Sequence, residues 1–536
     1  MAIGARAWGA YYTCRHVADY LARWAIRAAG DRVLEPSFGN GVFLEVAHDR
    51  LVALGGSCDS LFGVELRKEA FARVWEDGAL GEKNGLLGDF LALEPFPVQA
   101  VIGNPPYVRL RNLDPDSRAR AIGACERLGV PMAPSGSVWM PFVVHASSFL
   151  TFEGRLAFVL PHEMTYVRYA APLWSYLASK FGQLKVIRTQ EDLFPENDEE
   201  AILLLAEGYG HSTSAVKYEV YETSKALLQQ QPMVTASIPI ESVVSGQRPF
   251  VSALLNGEQL ALLSSLAATG RVRSISRECK FRIGYVAGDK RFFHPDATTQ
   301  ARYGLPAANL RKAVINSRQL RGVGVQLQEE AVGSSLYYPA KLTAADLAYI
   351  EQGEKAGVSG RYKCRVREPW YLTPGVETPD LLLSVFAERP LLILNKAKAT
   401  ASNSLLCGFL RGDTVPEELV CRWYNNLTLL SVELQVHSLG GGVLVLIPGE
   451  ADTIRIPSVV NRELQPRLLA ELDALLKREN VDAAYALGDE LILRRSLGLS
   501  EHQVQLIRDA GRVLRQWRNA RKRKASGGLF SPASVF

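Results

Sequence analysis

Apolar residues in the first 240 positions recur in two rhythms. Short runs rich in branched residues have the length of buried strands: RVLEP (32–36), SLFGVEL (60–66), AVIGNPP (100–106), RLAFVLP (155–161), LKVIRT (184–189) and AILLLAEG (201–208). Between them stand stretches with helical spacing, among them ADYLARWAIRAA (18–29), GVFLEVAHDRLVALG (41–55) and PFVVHASSFLT (141–151). Strand and helix in alternation predict a doubly wound α/β domain around a mostly parallel sheet, whose ligands bind at the carboxyl ends of the strands. Near residue 240 the rhythm breaks. Short β-prone pieces such as FRIGYVAG (281–288), RPLLILNK (389–396) and GGVLVLIP (441–448), punctuated by Gly, Pro and Asn, predict an irregular α+β domain. Two helices are expected after it, ELQPRLLAELDALLKREN (463–480) and SEHQVQLIRDAGRVLRQWRNARKRK (500–524), the second opened by a capping box of Ser500 and Gln503. The expected organisation is thus 1–240, 241–460, 461–525 and a loose tail over 526–536.

Composition narrows the class. A chain of 536 residues, 47% hydrophobic and 22% charged, is too long for one core and has the balance of a soluble globular protein. No apolar run reaches bilayer length, and MAIGARAWGAYYT lacks the features of a secretory signal, so a cytoplasmic protein without membrane contact is expected. The seven cysteines include no CxxC pair and the eight histidines no HExxH, so no metal site is expected. Charge is unevenly spread: residues 1–240 carry 22 basic and 27 acidic side chains, residues 241–536 carry 39 and 29. That asymmetry suits an acidic catalytic part followed by a part that grips a polyanion; an uneven distribution of solubilising charge is the other reading.

Chemistry concentrates at the expected strand ends. In VLEPSFGNGVFLEVA (33–47) a strand ends, a tight loop with Gly39 and Gly41 follows, and a helix begins. The loop is neither GxGxxG nor a Walker sequence, which disfavours a diphosphate. Carboxylates stand instead at three successive strand ends: Glu35, Glu65 in FGVEL and Asp89 in LLGDFL. They suit the amino end of an amino-acid moiety, ribose hydroxyls and an adenine amino group respectively, so a cationic nucleoside cofactor fits better than a nucleotide. The most specific signal is NPPY, Asn104, Pro105, Pro106 and Tyr107. Paired prolines fix the backbone after a strand. The Asn104 side-chain carbonyl and the Pro105 main-chain carbonyl can then accept both hydrogens of an –NH₂ group, and orient a poorly nucleophilic amine for attack on an electrophilic methyl. Tyr107 offers a flat face for a planar substrate.

With these motifs in this order, the chain resembles the gamma-class N6-adenine DNA methyltransferases of restriction–modification systems. The resemblance is carried by GAYYTCRHVADYL (9–21), LEPSFGNGVFL, FGVEL, LLGDFL, NPPYVR, GRLAFVLP and DLFPENDEEAILLL (192–205). It implies a Rossmann-like catalytic domain, S-adenosylmethionine as cofactor, and a target-recognition domain at the C-terminal side. Tyr12 and Thr13 would touch the methionine end of the cofactor; Glu35, Ser37, Gly39 and Gly41 its loop; Glu65 the ribose; Asp89 and Phe90 the adenine. Asn104, Pro105 and Tyr107 would hold an adenine flipped out of the duplex, with Phe194 packing against it. Members often carry Pro where this chain has Cys14, Cys or Ala where it has Phe38, and an acid where it has Ser137.

In the second half, FRIGYVAGDKRFF (281–293) resembles a glycine-bounded segment of large members. If RYKCRVREPWY (361–371) is a strand, Arg361, Lys363, Arg365 and Arg367 share one face beside Trp370 and Tyr371, and suit phosphates and bases; a surface strand with its Trp in the core is the alternative. Arg109, Asn395, Lys396, Lys398 and the basic stretch 515–524 are further candidates for contact with double-stranded DNA. A monomer on DNA is expected, with a cognate endonuclease encoded separately. Three other readings remain at this point: NPPY enzymes that methylate RNA or protein glutamine, which are typically shorter; cytosine N4 methylation, which usually has Ser at position 104; and a non-catalytic DNA-binding protein on the same scaffold.

Overall fold

The computed structural model describes residues 13–76, 84–191, 200–439 and 443–519; Tyr12, Phe194 and the stretch from 520 onward lie outside the described residues. The chain forms two compact units that divide between Leu254 and Leu255.

In the first unit all six apolar runs read from the sequence are strands. They are β1 (Val33–Glu35), β2 (Leu61–Glu65), β4 (Val98–Gly103), β5 (Leu150–Pro161), β6 (Phe181–Thr189) and β7 (Ala201–Tyr209), joined by β3 (Gly85–Leu87), β8 (Ala215–Tyr221) and β9 (Val234–Pro239). One sheet holds them in the order β3-β2-β1-β4-β5-β7-β6-β8-β9. From β3 to β5 every pairing is parallel. β7 runs antiparallel to both β5 and β6, β6 is parallel to β8, and β9 closes the edge antiparallel.

Side-chain alternation places helices on both faces. Ala100 and Ile102 of β4 and Ala157 and Val159 of β5 point into one cluster with Val17, Leu21 and Ala25 of α1 (Arg15–Ala25) and Phe43, Leu44, Ala47 and Leu51 of α2 (Val42–Ala53). Val101, Leu156, Phe158 and Leu160, at the intervening positions, are equally buried on the other side, where α5 (Trp139–Ser147) packs on β5. Two more helices bear on the site: α3 (Lys68–Glu76), and α4 (Pro115–Glu126), which starts on an Asp114 cap with Pro at its first position. Because β1 leads to β2 on one side and has β4 on the other, the strand order reverses at β1/β4, the place where open α/β sheets leave a crevice.

The second unit is irregular. A four-stranded antiparallel sheet pairs β10 (Cys279–Ile283), β15 (Leu405–Leu410), β13 (Leu381–Ser384) and β14 (Leu392–Leu394) in that order. Beside it, β11 (Leu310–Val314) pairs with β12 (Ser335–Tyr337) and with the two residues 400–401. An aromatic cluster built on Phe292, Phe293, Tyr337 and Tyr349 forms one core and Leu320, Leu382, Ile393 and Leu405 another. The helices expected at the C-terminal side are α7 (Gln465–Lys477) and α8 (Glu501–Asn519), and the Ser500–Gln503 capping box is formed in both directions. Both helices are part of this unit: α8 packs along α6 (Asn426–Gln435), and Arg518 makes a buried two-point ion pair with Glu433 at 2.9 and 2.8 Å. Removing one partner of such a pair leaves a buried charge and costs about 3–5 kcal/mol. Among the described residues no helix is long and apolar enough to cross a membrane.

Candidate active site

A cleft of about 200 Å³ opens at the carboxyl ends of β1 to β4. Of the residues singled out in the sequence, Thr13, Glu35, Ser37, Gly39, Glu65, Asp89, Phe90, Asn104 and Pro106 line it; Gly41, Pro105 and Tyr107 do not. Four strand ends separated by up to 70 positions in sequence thus converge, because parallel neighbours bring all their C-termini to one edge.

Each acid is held differently. Glu35, 1% exposed, ends β1 against the first turn of α2, where the Leu44 amide donates to its carboxyl; Oε2 has no hydrogen-bond partner. Burial, and secondly the nearby Glu65 carboxylate, push its pKa well above the usual carboxylate range. An uncompensated carboxyl at a cavity wall is a receptor for a cation. Glu65 accepts from the Gly39 amide at 2.9 Å, the Arg67 amide at 2.9 Å and Arg67 Nε at 3.1 Å, so it ties the glycine loop to the end of β2. Asp89 caps the turn after β3 through the Leu91 amide (3.0 Å) and accepts from Arg120 Nε of α4 at 2.8 Å. Phe90, 2% exposed, packs on Phe142, His145 and Phe149.

The two loop glycines have separate reasons. Gly39 sits at φ 57° and its amide is aimed at Glu65. Gly41 sits at φ 86°, and a Cβ there would lie 2.8 Å from Val74 Cγ2. Its place is the tight packing of α2's start on α3.

The tetrapeptide leaves the end of β4 as an extended loop. Asn104 Nδ2 donates to Thr13 Oγ1 at 3.2 Å, which orients the carboxamide, and Ser37 Oγ donates to the Asn104 main-chain carbonyl at 3.5 Å. Below the loop, Ser137 donates to the Val108 carbonyl at 3.0 Å. The hydroxyl at this position, where related enzymes often have an acid, therefore supports the loop from beneath. Arg109, expected to contact DNA, donates instead to Glu163 (2.6 Å) and Tyr169 (2.9 Å); the same Glu163 accepts from Trp139 and Tyr169. The sequence reading missed this network and the N-terminus of α4, whose Asp114 and Ser117 also line the cleft. The Asp114–Pro115 start is a helix-opening signature visible in the sequence; the Arg109–Glu163 pairing across two loops is not.

The expected DNA-contacting strand over 361–371 is not a strand. Tyr362–Arg365 is a single helical turn, because Cys364 turns inward and is fully buried. The four basic residues are consequently split. Arg361 pairs with Asp289 and Arg367 donates to the carbonyls of Val286 and Ala287, whereas Lys363 and Arg365 stay exposed. Trp370 packs on Phe292 and donates to Glu354. Asn395 is buried and ties its own loop through Pro379 and Ala399, and Lys396 pairs with Glu417 at 2.8 Å.

Residues 247–493 match the family described as the C-terminal domain of type II methyltransferase M.Eco57I. The chain is 25% identical over 449 residues to the type II methyltransferase M.PaeR7I of Pseudomonas aeruginosa, covering 74% of each chain. It is 22% identical over 492 residues to M.XamI of Xanthomonas campestris pv. amaranthicola, covering 84% of this chain and 86% of that one. Among solved structures, the type IIL restriction-modification enzyme MmeI in complex with DNA is similar with a TM-score of 0.54 at 11% identity, over 94% of this chain and 75% of that chain. That likeness shows the fold, a Rossmann-like α/β domain followed by an α+β domain. In sequence the chain is similar, over most of its length, to type II methyltransferases of restriction–modification systems.

Proposed function

We propose that this protein is the modification methyltransferase of a restriction–modification system, transferring a methyl group from S-adenosylmethionine to the N6 amine of adenine in double-stranded DNA. The observation that carries the reading is the convergence of Asn104 with three strand-end acids on one cleft. It is supported by the likeness to type II methyltransferases in both halves of the chain.

The cleft suits this cofactor. Glu35 has an unpartnered carboxylate oxygen in a fully buried position, which an ammonium group would compensate. Glu65 and Asp89 each keep accepting capacity beyond the bonds they make, suited to ribose hydroxyls and an adenine amino group. Phe90 and Phe142 add an apolar wall for a base. When bound, the cofactor supplies an electrophilic methyl.

The chain's own part in transfer is orientation. Thr13 holds the amide end of Asn104, and the Asn104 Oδ1 and Pro105 carbonyls accept the two N–H groups of the target amine. The amine nitrogen is then held with its lone pair toward the methyl, and the positive charge it gains is stabilised by two fixed dipoles. No strong base is needed beforehand, because the amine proton becomes acidic only as the bond forms. The target base leaves the duplex to reach this loop, and Tyr107 stacks on it.

The test is transfer of labelled methyl to unmethylated genomic DNA, followed by nucleoside analysis. Label in N6-methyladenine is expected. Label in N4-methylcytosine would move the target base, and label found only in RNA or protein would overturn the DNA half of the reading.

A further inference from the structure

Residues 360–367 form a turn whose ends are pinned and whose middle faces solvent. Cys364 is buried in the aromatic core of the second unit. Arg361 pairs with Asp289, and Arg367 donates to the carbonyls of Val286 and, at 2.8 Å, Ala287. Gly288, at φ 93°, allows the close approach: a Cβ there would stand 2.9 Å from Cys364 Sγ and 3.2 Å from Lys363 Cβ. Between these anchors Tyr362 and Val366 are 65% and 66% exposed. Lys363 Nζ and Arg365 Cζ lie 5.5 and 5.4 Å from the centre of the Tyr362 ring. Neither cation forms an ion pair among the described residues, and Arg291, shortly after Gly288, is exposed as well.

The pinned turn holds an aromatic ring in water beside these two cations, and Val366 is exposed next to Arg365. Two cations beside the ring, left without carboxylate partners, select the covering molecule. A nucleic acid presents phosphates beside apolar sugars and bases, and matches two cations gathered about one exposed ring. The basic excess of residues 241–536 points the same way.

We propose that this turn is a contact point for duplex DNA, in which Lys363 and Arg365 bind backbone phosphates and the Tyr362 ring lies against the sugar or base edge between them. The proposal rests on the methyltransferase reading above and adds the place and manner of one DNA contact. Because the turn is held by Arg361, Cys364 and Arg367, the three contacting side chains are preorganised and can be removed without disturbing the core.

The experiment compares full-length wild type, Tyr362→Ala and the double variant Lys363→Ala/Arg365→Ala. Affinity for a fluorescent pool of random-sequence duplexes is measured across a salt series, with cofactor binding measured in parallel. In the double variant the dependence of log affinity on log salt should become shallower by about 1.8, two phosphate contacts at about 0.9 each. Tyr362→Ala should bind on the order of tenfold more weakly with an unchanged salt slope. Wild-type affinity and slope in both variants would overturn this proposal and leave the methyl-transfer reading standing. A wild-type chain that binds the cofactor but no duplex would overturn the DNA half of that reading, and this proposal with it.

Discussion

In the proposed reaction Asn104 would face the amine and Glu35 the cofactor's cation, and their variants should separate the two roles. Asn104→Ala removes one of two acceptors that work only when the amine is being methylated. Turnover should fall on the order of 100-fold or more, while calorimetric affinity for S-adenosylmethionine stays within a few-fold of wild type. Near-normal turnover would take Asn104 out of the amine clamp. Glu35 predicts a pH effect. Burial first, and Glu65 second, raise its pKa in the cofactor-free protein, so it keeps its proton above the ordinary glutamate range. A cation at Oε2 favours the ionised form, so binding expels that proton. Cofactor affinity should therefore climb as pH rises through the raised value and level off above it. Calorimetry over a pH series that starts in the ordinary glutamate range and runs upward should show this slope in wild type and lose it in Glu35→Gln; an identical slope in the variant would assign the titration to another group. The sign for stability is opposite. A carboxyl whose folded pKa is raised binds more protons folded than unfolded, so the cofactor-free protein loses stability as pH rises between the unfolded and the raised value.

At the scale of elements, the loop 104–109 is held by side chains from four neighbours: Thr13 ahead of α1 and Ser37 on Asn104, Ser137 ahead of α5 on Val108, and Glu163 just past β5 on Arg109. Glu163 is the hub, accepting from Arg109, Trp139 and Tyr169. Glu163→Gln keeps the size and weakens the ion pair with Arg109. The expected result is kcat lowered by about tenfold, as small misplacements of a reacting group do, with cofactor affinity unchanged. A shift in cofactor affinity alone, with kcat intact, would show that the network serves the cofactor side instead. Element identity in this half was legible in advance, since runs such as AILLLAEG are too apolar and too short for anything but buried strands. The turn at 362–365 was not. Alternating basic residues read as a strand face, yet burial of Cys364 and the claims of Asp289 on Arg361 and of the Val286 and Ala287 carbonyls on Arg367 wind it into a helical turn. These are contacts with residues some 70 to 80 positions away, and local pattern carries no information about them.

On the scale of the whole molecule, the chain divides between Leu254 and Leu255, some fifteen residues beyond the change of rhythm read near 240. The intervening stretch stays with the first unit because Phe250 is buried there against Trp174 and Tyr218. The helices over 465–519 belong with the second unit for a similar reason, the Arg518–Glu433 pair and the packing of α8 on α6, neither visible as periodicity. By itself the sequence determined six of the first unit's strands, the acids and glycines at strand ends and the NPPY loop, because these are encoded in contiguous residues whose spacing is their structure. Tertiary structure alone decided which of them share a cavity, that Gly41 serves packing, that Arg109 braces the loop, and that Tyr362, Lys363 and Arg365 stand outward together. Each of those outcomes depends on contacts between segments distant in sequence, and pairing, burial and charge compensation exist only once the chain has folded.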